Sequence, residues 1–102
     1  MTGGKSWRVM RMSPQWNAYP QFQYAIVYDR ISYQQSVRDF FKAIAWCWDT
    51  FEASIDLQSW KALRKSDEVN KFWTWDTQTN VHPNRIYLAT SKEVDAFLLR
   101  WN

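Results

Sequence analysis

Apolar and polar residues alternate along two stretches near the start of the chain. In "WRVMRM", residues 7–12, Trp7 and Val9 fall on one side and Met10 and Met12 on the other. In "QFQYAIVYD", residues 21–29, Phe22, Tyr24, Ile26 and Tyr28 share one face, and Gln23, Ala25 and Val27 share the opposite one. A period of two is the mark of a strand, whose successive side chains point to opposite faces of a sheet. The intervening "SPQWNAYP", residues 13–20, is rich in turn formers and bracketed by prolines, which predicts an antiparallel hairpin.

The period then lengthens. Ser36 and Asp39 have the spacing of a capping box with the shorter acid, so a helix is expected from Ser36, or from near Ser32, since 32–36 holds no breaker. Val37, Phe40, Phe41, Ile44, Cys47, Trp48 and Phe51 fall within about 120° of arc and are the expected core stripe. Trp46 is then left on the opposite side with Asp39, Lys42 and Asp49. Leu57, Trp60 and Leu63 suggest a short helix at about 56–65, followed by a polar loop. "KFWTWDT", 71–77, and "RIYLA", 85–89, read as strands joined by the turn segment "QTNVHPN", 78–84. Thr90 and Glu93 form a full capping box that opens a last helix, with Val94, Phe97, Leu98 and Trp101 at i, i+3, i+4 and i+7.

The expected order is ββα(α)ββα. This is an α+β fold: an antiparallel sheet of about four strands with the two main helices on one face. Residues 1–6 read as a tail and 7–102 as a single domain, since 102 residues is an ordinary domain size.

Composition changes this picture in three ways. Eight Trp, six Phe and five Tyr are more rings than so small an interior is expected to hide, so some are expected at the surface, where interfaces concentrate. Both glycines, Gly3 and Gly4, lie at the start, which excludes every glycine-rich phosphate loop and moves the turns onto Asn, Asp and Pro. A single Cys excludes an intramolecular disulfide and favours a reducing compartment. No apolar run approaches the ~18 residues of a membrane span, and "MTGGKSWRVM" lacks a signal-peptide core, so a cytoplasmic chain with no membrane contact is expected. The net charge of +3 permits acidic partners without demanding them.

Candidate chemistry is sparse. His82, the one histidine, stands in a turn with no metal-ligand spacing around it. Cys47 lies on the apolar stripe, where a thiol is inert. Asp49 and Glu52, at i and i+3, could share a cation, but solvation at a helix end explains them as well. No catalytic, metal or cofactor residues are therefore assigned, and the chain is read as a binding module rather than an enzyme.

Two binding surfaces are expected. The preferred one recognises protein: Trp46 as anchor, flanked by Lys42 and Asp49, with Trp16 and Tyr19 on the proline-bracketed loop. On this reading Trp46→Ala folds normally and loses its partner; the rival expectation is that Trp46 packs under residues 52–70 or in a homodimer, and a strongly destabilised Trp46→Ala would then place the ring in the core. The alternative binds single-stranded nucleic acid, with Lys61, Arg64, Lys65 and Lys71 on phosphates and Trp60, Trp73 and Trp75 stacking on bases.

The closing segment "RIYLATSKEVDAFLLRWN" resembles that of small accessory proteins of tailed bacteriophages, through Ile86, Tyr87, Leu88, Glu93, Phe97, Leu98, Leu99, Arg100 and Trp101. The resemblance implies a viral origin and action in the host cytoplasm. It favours an inhibitor occupying a surface of a host protein or ribonucleoprotein complex, such as a CRISPR defence system or the transcription machinery. A minor virion component is the other role it implies.

Overall fold

The computed structural model describes residues 7–15, 21–28, 33–63, 65, 69–77 and 84–101. The chain runs β1 (Trp7–Arg11), β2 (Tyr24–Tyr28), α1 (Tyr33–Phe51), α2 (Leu57–Leu63), β3 (Trp73–Asp76), β4 (Arg85–Leu88) and α3 (Ser91–Trp101). The four strands form one sheet in the order β1-β2-β4-β3, with every neighbour antiparallel. The expected α+β class and element order hold. One boundary moves: α1 starts at Tyr33, so Ser36 lies inside the helix rather than capping it.

Register sorts the side chains onto two faces. Val9, Ile26, Ile86 and Trp75 form one cross-strand row, and Arg11, Tyr24, Leu88 and Trp73 the next. On the reverse face Met10, Ala25, Tyr87 and Thr74 line up, as do Arg8, Val27, Arg85 and Asp76. The first face carries the larger core, where Trp7, Ile26, Trp73, Ile86 and Leu88 meet Phe40, Ala43, Ile44 and Cys47 of α1 and Val94 and Phe97 of α3. A second core, on the reverse face, joins Ala25 and Tyr87 to Met12, Phe22, Val69, Ala89 and the α2 residues Leu57 and Trp60. The two main helices thus share one face and the short helix covers part of the other.

Local chemistry fixes where the helices begin and end. Thr90 and Glu93 cap α3 as expected: Glu93 Oε1 accepts from the Thr90 amide at 2.9 Å, and Thr90 Oγ1 accepts from the Lys92 amide at 3.2 Å. Asp56 caps α2, accepting from the Ser59 hydroxyl at 2.7 Å and the Ser59 amide at 3.3 Å, and these bonds hold its carboxyl below its ordinary range. Past the end of α1 the backbone turns left-handed at Glu52, φ 74°, a position that usually goes to glycine. The expectation that Asn, Asp and Pro would take over such turns misses this one. Asn70 supplies the compensation, since its Nδ2 donates to the carbonyls of Phe51, Glu52 and Ala53 at 2.7, 3.3 and 3.1 Å.

The segment after α1 also covers the outer edge of the sheet. Ser54 Oγ donates to the Trp73 carbonyl at 2.6 Å, Thr74 Oγ1 donates to the Ile55 carbonyl, and Asp56 makes a parallel bridge to Trp75. Edge strand β3 is thereby blunted against further pairing.

The roll of α1 reverses the expected orientation of its two tryptophans. Trp48 is exposed, at 48 %, and so is Phe41, at 52 %. Trp46 instead packs edge-on against Phe51, Phe97 and Trp101, with ring centroids 5.5, 5.8 and 6.4 Å away. Two causes combine. Ala43 is fully buried, so α1 turns this small residue to the sheet and moves the buried arc away from Phe41 and Trp48. Helix α3 also offers Phe97 and Trp101 on the side where Trp46 emerges, and edge-to-face pairs of this kind are worth about 0.5–1.5 kcal/mol each beyond their burial.

Candidate functional site

Helix α1 presents its outer side to solvent as one row. Arg38, Phe41, Ala45 and Trp48 are all exposed, and Glu52, also exposed, lies just past the last turn. Steps of three, four and three residues keep the first four on one side of a helix with 3.6 residues per turn. Lys42 and Asp49, also exposed, flank that row. Beside Trp48 the row opens into a cleft of about 360 Å³ lined by Ala53, Ser54, Ile55, Leu63, Val69 and Asn70. Leu63 adds apolar surface there, exposed at 54 % rather than buried as its helical spacing with Leu57 and Trp60 suggests.

Hydrogen bonds tie together the support beneath this surface. Asn70 ties its cleft to the end of α1, and the Trp60 indole donates to the Asn70 carbonyl at 2.8 Å. The Trp73 indole donates to the Glu52 carbonyl at 2.7 Å. On the far side of the α1 terminus a second groove, of about 460 Å³, lies next to the exposed ring of Phe72. The Phe72 amide is held by Asn70 Oδ1 and its carbonyl by the Ala89 amide.

The sequence-derived candidates fare unevenly. Lys42 and Asp49 are exposed as expected, but the anchor between them is displaced: Trp46 is spent on α3, and Trp48 and Phe41 face solvent. Trp16, Tyr19, Arg64 and His82 lie outside the described residues. The stacking platform does not assemble. Trp73 is fully buried, Trp60 is 5 % exposed, and Trp75 is partly buried and stacked on Trp73 at 5.5 Å. The Trp73 and Trp75 rings face α1 and α3 because β3 turns that side to the larger core and leaves Phe72 outside, while Trp60 is buried in the second core. Lys61 and Lys65 are exposed, while Lys71 places its ammonium 5.4 Å over the buried Trp60 ring.

Polar chemistry is scarce near the exposed rings. Cys47 is fully buried, and burial pushes its thiol well above its ordinary range, which removes it as a nucleophile. Asp49 and Glu52 fall on either side of the α1 terminus, where the left-handed turn ends the i, i+3 geometry that would bring them together. Among the described residues no group of three or more His, Cys, Asp or Glu gathers as a metal site, and no helix is long and apolar enough to cross a membrane.

One signal in the sequence points to the surface at Phe41 and Trp48. Counting Ala43 with Phe40, Ile44 and Cys47 rotates the core arc and sets Arg38, Phe41, Ala45 and Trp48 apart as a separate row. Comparison of the chain with protein-family models, with curated proteins and with solved structures finds no match.

Proposed function

We propose that this chain is a non-enzymatic protein-binding module that docks through the outer side of α1. The observation that carries the reading is the half exposure of Phe41 and Trp48 on a helix whose opposite side is locked into the core. A Trp that moves from water into a partner's pocket is worth roughly 2–4 kcal/mol when it serves as an anchor. A support already tied by hydrogen bonds lowers the ordering cost that binding must offset. The narrower reading, a phage-encoded inhibitor that occupies a surface of a host complex in the host cytoplasm, takes its support from the resemblance of residues 85–102 alone.

The test is affinity capture from a bacterial lysate, with nuclease, comparing the wild type with Trp48→Ala and Lys61→Ala. The expected result is a protein caught by the wild type and by Lys61→Ala but lost in Trp48→Ala. A catch that vanishes with nuclease, or that Trp48→Ala retains in full, contradicts the reading.

A further inference from the structure

We infer that the partner seated on the outer side of α1 is a second copy of this chain, its α1 antiparallel to the first, with the two-fold axis passing near Ala45. The inference rests on the docking reading above and names the occupant of that same surface.

The argument starts from spacing. Residues 38, 41, 45 and 48 follow the three-four alternation of a helix–helix seam, with Glu52 just past its end. The smallest of them, Ala45, stands at the centre with a large ring on each side, Phe41 before it and Trp48 after it. Two such helices approach most closely at their alanines, and in the antiparallel sense each Phe41 meets the Trp48 of the second copy.

The charges follow the same symmetry. Arg38 and Lys42 precede Ala45, and Asp49 and Glu52 follow it; all four are exposed. An antiparallel pair sets Lys42 opposite Asp49 of the second copy and brings Arg38 near the acidic end of its α1. A parallel pair would instead set like charges side by side, which is unfavourable. This is the self-complementary patch that a two-fold interface requires. Within α1 the arrangement runs against the helix dipole. The first turn of α1 holds no acid and its last turn no base, whereas the helix dipole favours acids at the start and bases at the end. An antiparallel neighbour brings basic groups to that acidic end.

The seam from Arg38 to Trp48 spans about 15 Å at 1.5 Å per residue. That is small for a specific interface, even with Leu63 and the cleft beside Trp48 added, so the dimer is expected to be concentration-dependent. Self-pairing and docking on a different protein compete for the same side of α1.

Sedimentation equilibrium of the full chain up to millimolar concentration tests this. The wild type should move from 12.4 kDa toward twice that mass as concentration rises. Lys42→Asp and Asp49→Lys should each weaken the dimer by about ten-fold or more, because each sets like charges face to face. The combined Lys42→Asp/Asp49→Lys chain should recover it. Both positions are exposed, and circular dichroism checks that each variant is folded. A wild type that stays monomeric, single variants that dimerise like the wild type, or a double variant as weak as the single ones each overturns the inference. A monomeric wild type that still captures a different protein through Trp48 overturns self-pairing and leaves the docking reading standing.

Discussion

The two sides of α1 are built from the same kinds of residue and meet opposite fates. The inner side carries Phe40, Ala43, Ile44 and Cys47, all buried, with Trp46 at its margin packed against α3. The outer side carries Phe41, Ala45 and Trp48, all exposed. Each side has a Phe, an Ala and a Trp. What separates them is the company each finds across the gap: the sheet and the aromatic residues of α3 on one side, solvent on the other. Hydrophobicity of a helix position is therefore a poor guide to its burial when both sides are apolar. The partners available in the fold decide.

The sharpest way to break this contrast is to remove the ring on which the inner margin rests. Phe97 is fully buried, 5.1 Å from the Trp7 ring and 5.8 Å from that of Trp46. Phe97→Ala should lower the unfolding free energy by about 3–5 kcal/mol, and urea unfolding measures it. A smaller loss is expected at Asn70, where inner support and outer cleft meet. Asn70→Ala removes the side-chain donor from the carbonyls of Phe51 and Ala53 and the acceptor from the Phe72 amide, while the Glu52 carbonyl keeps the Trp73 indole. A cost of about 1–2 kcal/mol follows, since only the Phe51 bond is part-buried and water can reach the other groups. Hydrogen exchange should show that loss as faster opening of the segment between α1 and α2, with the sheet centre less affected.

Much of the fold was legible in the sequence because it is encoded locally. The alternation of 7–12 and 21–29, the aromatic and Thr-rich strand at 71–77 and the Thr90–Glu93 box each carry their signal within a few residues, and each element forms where expected. The roll of α1 was not legible in the same way. Its outer and inner stripes overlap on a helical wheel, and the choice between them depends on Phe97 and Trp101, about fifty residues away in the chain. The site moved for that reason, from Trp46 to Phe41 and Trp48, while Lys42 and Asp49 kept their places beside it. The nucleic-acid platform failed on a related point: Trp73 and Trp75 share a face as read, but the sheet turns that face inward. The left-handed turn at Glu52 carried no signal, since neither Gly nor Asn marks it.

The central claim is that Trp46 belongs to the interior and Trp48 to a docking surface. Urea unfolding of Trp46→Ala and Trp48→Ala, measured side by side on dilute protein, tests it directly. Trp46→Ala should cost about 2–3 kcal/mol, somewhat less than a fully enclosed Trp, because the ring is only partly buried. Trp48→Ala should cost about 1 kcal/mol or less, because about half of the ring already lies in solvent. Equal losses, or a larger loss at Trp48, would contradict the account.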